Sequence, residues 1–272
     1  MKSTTRTTKI AVAVAGLGLA IGMGGLAGAN AMTGPAVTHD HGHGHGHGHG
    51  HGHGHGHGQP PNLGVVKNQI KEYYGDDDSG YASPSSDYAR QMYRIESRTD
   101  HKLGHLLRHA DDAPVVLLDV DDTTLLTYNY EVTYDFGYDP EENAEYIHDI
   151  GMRSTFGMPE LVNDAAEQGA EVYYLTGRPE SQRTDTLDGL SKAGYPNVSS
   201  DHLYLHNHAN PPAWLDYCAP DCSTVQYKSS TRKHIESLGY DIVLNMGDQY
   251  SDLKGGYADE TVKLPNPMYY LP

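Results

Sequence analysis

The sequence predicts an α/β fold: a doubly wound parallel sheet, with a small helical cap built from N-terminal helices and an insertion after the first strand. Three observations carry this. From residue 62 onward, short apolar runs alternate with amphipathic helical patterns, the signature of a parallel sheet covered by helices on both faces. Three of the candidate strands end at Asp119, Thr176 and Asp248, and in such sheets ligands bind beyond the carboxyl ends of the strands. Between the first two strands lies 128–156, aromatic and acidic without a strong period.

The elements follow in order. Asn62 to Gly75 has apolar residues at helical spacing and stops at a glycine. Pro84 to Ala110 is a longer helical pattern carried by Tyr88, Met92, Ile95, Leu103, Leu106 and Leu107. The run APVVLLD, 113–119, is a strand buried on both faces. Helix is then expected over 158–170, strand over 171–177, helix over 178–194 and strand over 202–206. A helix over 229–240, a strand over 241–247 and a last short strand over 261–265 complete the alternation.

Ahead of this domain, 62–272, two segments read differently. Lys2, Arg6 and Lys9 precede an uncharged Ala/Gly/Leu-rich run, and Ala29-Asn30-Ala31 supplies a small-x-small cleavage pattern. Residues 1–31 are therefore expected to be a signal peptide and the protein to be secreted. A membrane anchor is the other reading, which six glycines between Ile10 and Ala29 weaken. Residues 32–61 are expected to be a disordered linker, with nine consecutive His-Gly pairs from His41. Flexible imidazoles of this kind bind borderline ions such as Zn²⁺, Cu²⁺ or Ni²⁺, so transition-metal binding by the tract is expected beside the bland reading of a solvated linker. The formal charge is −17, and losing the three signal cations leaves about −20. Such a surface repels nucleic acid polymers and anionic membranes.

The strand ends combine Asp119-Val120-Asp121-Asp122-Thr123, Thr176-Gly177-Arg178 and Gly247-Asp248-Gln249-Tyr250-Ser251-Asp252, with Lys228 ahead of a helix. Carboxylates without His or Cys beside them suit a hard cation such as Mg²⁺. A hydroxyl, a turn at a helix N-terminus and a lysine suit a phosphate.

This ordered set, DxDxT, TGR, Lys and GDxxxD, resembles the haloacid dehalogenase superfamily of aspartate-nucleophile phosphohydrolases. LLDVDDTTLLTYN, YYLTGRPESQR, YKSSTR and GYDIVLNMGDQYSDLKGG look like its secreted acid phosphatase branch, which includes bacterial classes B and C and plant vegetative storage proteins. The resemblance implies a Rossmann-like core and a Mg²⁺-dependent phosphomonoesterase. It implies Asp119 as nucleophile and Asp121 as general acid and base. Thr176, Gly177, Arg178 and Lys228 would hold phosphate. Mg²⁺ would bind Asp119, the backbone carbonyl of Asp121, Asp248 and Asp252. The expected partner is a small-molecule phosphomonoester. A catalytically silent metal-binding or storage protein and a phosphotransferase are the competing functions.

Other residues have plainer readings. Asp122 is expected as a solvated turn residue, Gln249 and Ser251 as turn formers. Arg178 either contacts substrate or pairs with local acids. Cys218 and Cys222 read as a small disulfide loop in a secreted protein, with a metal pair as the alternative. Tyr128, Tyr130, Tyr134, Phe136, Tyr138 and Tyr146 either pack the insertion or form a stacking wall for an aromatic leaving group. His148, His206 and His208 are expected as surface or satisfied loop histidines.

Overall fold

The computed structural model describes Pro60–Pro272. The segments expected to be a signal peptide and a His-Gly linker lie outside the described residues. Five parallel strands form one sheet: β1 (Ala113–Leu118), β4 (Glu171–Pro179), β5 (Leu203–His206), β6 (Tyr240–Gly247) and β7 (Glu260–Lys263), in the order β5-β4-β1-β6-β7. Strand β1 explains why the sheet must be covered twice. Val116 and Leu118 join one buried cluster, while Val115 and Leu117 join the other. Alternate side chains point to opposite faces of a strand, so a continuous apolar run needs a core on each side. The chain winds from β1 outward through β4 to β5, then returns to β6 on the other flank of β1. The reversal places the crevice at the carboxyl ends of β1 and β6.

The first face carries α1 (Leu63–Tyr74), α2 (Asp87–Arg108) and α5 (Met158–Glu167). Asn62 caps α1 by accepting from the Gly64 and Val65 amides, and Gly75 ends it in the left-handed region at φ 64°. Ser86 caps α2, whose buried Tyr88, Met92 and Leu103 face the core. The second face carries α7 (Thr224–Ser237), which buries Tyr227 and Ile235 against β1, β4 and β6. Helix α6 (Arg183–Lys192) follows β4, and the single turn α8 (Tyr250–Leu253) follows β6.

The insertion has no period because its pieces are short. It contains β2 (Leu125–Leu126), α3 (Tyr128–Thr133), α4 (Pro140–Asp149) and β3 (Arg153–Ser154), with β2 and β3 antiparallel. Tyr128 stacks on Tyr74 of α1 at 4.3 Å, and Lys67 pairs with Asp135 at 2.8 Å. The cap shares its core with the sheet: Tyr74, Met92, Tyr128, Tyr146 and Leu118 belong to one buried cluster. Helix α2 also packs against α5 and β6, so it belongs to the layer over the sheet.

Two boundaries differ from the sequence reading. The helix expected from 178 begins at Arg183, after extended backbone to Pro179 and a short turn over Glu180–Gln182. Proline at 179 forces Arg178 into extended backbone. The helix expected from 229 begins at Thr224, because Ser223 and Gln226 form a capping box. Lys228 therefore projects from the second turn of α7 instead of preceding a helix.

Candidate active site

The site is built at the carboxyl edge of β1. The Asp119 amide still bonds to the Met246 carbonyl of β6 at 3.0 Å, and the chain then turns back as the Thr124 and Leu125 amides donate to the Val120 carbonyl. Asp119 is buried at 7% exposure. The Lys228 ammonium donates to it and to Asp252, each at 2.5 Å. Burial pushes the Asp119 carboxyl well above the usual range; Lys228 opposes this, while Asp252, Asp248 and Asp121 add to it. Burial works against the Lys228 charge too, but Asp119 and Asp252 outweigh it and hold the ammonium protonated.

Asp248 follows β6 and accepts from Gln249 Nε2 at 2.6 Å and Asn266 Nδ2 at 2.7 Å. Burial, then the charges of Asp122 and Asp252, pushes its carboxyl up to about 7. Asp252 sits on α8 and also accepts from the Gln249 amide at 2.8 Å. Asp119, Asp248 and Asp252 each offer one oxygen within 4.8 Å of the others. Three buried carboxylates facing one ammonium are electrostatically incomplete. An all-oxygen set of this kind fits a hard divalent cation. The Asp121 carboxylate does not join that cluster. Arg178, itself buried, grips it with Nε on Oδ2 at 2.9 Å and Nη2 on Oδ1 at 2.6 Å. Burial disfavours the Arg178 charge, but Asp121 more than compensates and the net shift is upward.

Thr176 and Gly177 stand at the end of β4 and line the same cleft as the four aspartates, Arg178 and Lys228. The Thr176 hydroxyl accepts from the Arg178 amide at 3.1 Å. Nothing lies within 4 Å of where a Cβ would stand on Gly177. The structure thus brings all eight sequence-derived ligand and catalytic candidates to one cleft of about 360 Å³.

Asp122 is a correction. It is fully buried, with φ 55°, and is no solvated turn residue. It accepts from the Thr127 amide and hydroxyl at 3.0 and 2.6 Å and from the Tyr269 hydroxyl at 2.7 Å. The turn after β1 folds inward onto the insertion and the C-terminal segment, away from water. Burial pushes the Asp122 carboxyl up to about 7, with Thr127 and Tyr269 holding it lower than burial alone would. Gln249 is likewise more than a turn former, since it donates to Asp248.

Sequence reasoning missed Asn266, Tyr269 and Arg232. Asn266 and Tyr269 come from an irregular C-terminal segment with no pattern to mark them. Buried Arg232 donates to the carbonyls of Asp252 and Gly256 at 2.6 and 2.8 Å, and to that of Lys254. Its spacing of four from Lys228 puts both on one face of α7, a signal available in the sequence. Tyr128 and Tyr146 pack in the core, Tyr130 belongs to that core and also lines the cleft, and Tyr138 lines the cleft with Tyr227, Tyr269 and His206. His206 stacks on Tyr227 at 4.5 Å, so it is part of the cleft wall. Cys218 and Cys222 form the disulfide, just ahead of the α7 cap.

The family model described as HAD superfamily, subfamily IIIB (Acid phosphatase) matches residues 62–272. Vegetative storage protein 2 of Arabidopsis thaliana is 32% identical over 191 residues, covering 67% of this chain and 68% of that protein. Acid phosphatase 1 of Solanum lycopersicum is 30% identical over 165 residues, covering 59% and 60%. The class C acid phosphatase from Bacillus anthracis superposes with a TM-score of 0.58 at 20% identity, over 76% of this chain and 86% of that one. That likeness is one of fold.

Proposed function

Because the chain belongs to the subfamily IIIB acid phosphatases of the HAD superfamily, and so is a phosphatase acting on small phosphate esters, we propose that it is a secreted, Mg²⁺-dependent phosphomonoesterase working through an aspartyl-phosphate. One observation carries the mechanism. Asp119 lies buried against Lys228, and Asp121, two residues on, is held by Arg178 at the mouth of the same cleft.

In this reading a carboxylate oxygen of Asp119 attacks phosphorus while the bond to the leaving alcohol breaks. Asp121 gives that alcohol its proton. Asp121 then takes a proton from water as the water attacks phosphorus, releasing phosphate and restoring Asp119. The Thr176 hydroxyl and the Gly177 amide donate to phosphoryl oxygens, Arg178 holds Asp121 in place, and Lys228 offsets the charge that Asp119 and the phosphoryl group share. Asp119, Asp248, Asp252 and the Asp121 carbonyl would hold Mg²⁺. Once bound, it supplies the positive charge that lets an anionic carboxylate approach a phosphate dianion. The N-terminal signal pattern supports secretion, and no helix among the described residues is long and apolar enough to cross a membrane.

Storage-protein relatives favour a second reading, in which the fold is kept without catalysis. The complete acid, lysine and threonine set in one cleft argues for turnover. The test is hydrolysis of p-nitrophenyl phosphate by the full chain. Chelator should abolish it, Mg²⁺ should restore it, and Asp119→Asn should lower it by roughly a thousandfold or more while the fold survives. No Mg²⁺-dependent turnover would leave the storage reading standing, and restoration by Zn²⁺ but not Mg²⁺ would contradict the all-oxygen site.

A further inference from the structure

Every carboxylate that lines the cleft has a partner except one. Asp119 and Asp252 accept from Lys228, Asp121 from Arg178, and Asp248 from Gln249 and Asn266. Glu131, on α3, is only 6% exposed, and among the described residues nothing donates to its carboxylate. It faces the cleft beside Tyr130, Tyr138 and Asn143. A carboxylate largely withdrawn from water, with no protein donor, is unfavourable. Burial, then the charge of Asp121, pushes its pKa up to about 7. No contact within the fold repays this, so the use of Glu131 lies in what enters the cleft.

Two facts indicate what that is. Glu131 belongs to the insertion and feels the charge of Asp121, the residue that protonates the leaving oxygen in the reading above. A group that meets Glu131 therefore belongs to the leaving alcohol, beyond that oxygen. The charge balance gives its sign. Five carboxylates line the cleft against Lys228 and Arg178, both cations are already engaged by Asp119, Asp252 and Asp121, and the charge of a bound Mg²⁺ would be offset by that of the phosphate dianion it meets. A neutral hydroxyl would satisfy the hydrogen bonding of Glu131 and leave its charge unbalanced. An ammonium satisfies both.

We propose that Glu131 binds an ammonium group carried by the leaving alcohol, so that phosphate monoesters of amino alcohols are the favoured substrates. This rests on the phosphomonoesterase reading. The test compares ethanolamine phosphate with propyl phosphate, which replaces the ammonium by a methyl, and with 2-hydroxyethyl phosphate, using the full chain with Mg²⁺. The wild type should prefer the ammonium ester over the propyl ester by at least about tenfold in kcat/KM, the range of one charge-assisted contact. Glu131→Gln should cut that ratio about tenfold, chiefly through KM, and Glu131→Asp, which keeps the charge, should retain part of it. An unchanged ratio, an equal loss on both esters, or faster turnover of the hydroxyl ester overturns the proposal. Calorimetric titration of Asp119→Asn, with and without Glu131→Gln, reads the same preference without turnover. A preference for the ammonium ester that Glu131→Gln erases upholds the subsite even if no ester is hydrolysed, which would sink the hydrolase reading alone. Equal affinity for the two esters overturns the subsite.

Discussion

The Asp121 side chain, paired with Arg178, lines the cleft and is more exposed than Asp119 and Asp252, the acids paired with Lys228. Two guanidinium N–H groups fix its direction, which suits a group that must meet a leaving oxygen in one orientation. A proton donor matters most when the departing alcohol is a poor leaving group. Asp121→Asn should therefore slow alkyl phosphates far more than p-nitrophenyl phosphate. Equal losses on both, measured as kcat, would reduce Asp121 to a support for its neighbours. Its neighbour Asp122 shows how little residue type decides at this scale. The same side chain, one position on, points into the protein and ties the turn to Thr127 and Tyr269. Adjacent residues after β1 serve the cleft and the scaffold because successive side chains diverge, and the inward turn leaves no solvent on the second side.

At the level of elements, the junction of β6 and α8 is under a tight steric demand. A Cβ on Gly247 would stand 2.4 Å from the Asp252 Cβ, so the strand can deliver both Asp248 and Asp252 to one cluster only if that position is glycine. Gly247→Ala should push Asp252 away from Lys228. The expected result is a loss of about tenfold or more in Mg²⁺ affinity by titration and a destabilisation of about 1–3 kcal/mol by denaturation. Wild-type affinity in a folded Gly247→Ala chain would show that Asp252 does not serve the metal. Helix α7 supplies the other half of this alignment. Its start is set by the Ser223–Gln226 capping box and the neighbouring disulfide, and one face presents Lys228 to the acids and Arg232 to the carbonyls around α8.

For the whole molecule, the acidic surface and the His-Gly tract belong to different chemistry from the cleft. The tract offers imidazoles, while the cluster that could hold a metal in the cleft, Asp119, Asp248 and Asp252, offers carboxylates. Deleting His39 to Gly58 should leave Mg²⁺-dependent turnover nearly unchanged and remove most Zn²⁺ or Ni²⁺ binding seen by calorimetry near neutral pH. Loss of turnover at saturating Mg²⁺ would join the tract to the enzyme. By itself the sequence determined the alternating α/β order and the strand ends that carry Asp119, Thr176 and Asp248. Those features are written in local apolar periodicity and in short motifs, and local pattern survives folding unchanged. Only the tertiary structure decided that Asp122 is buried, that Arg178 holds Asp121, that Asn266 and Tyr269 reach the site from the far end of the chain, and that Glu131 is left without a donor. Each of these depends on groups distant in sequence meeting in one low-dielectric crevice, where packing and desolvation, which no local pattern encodes, fix the partners of every charge.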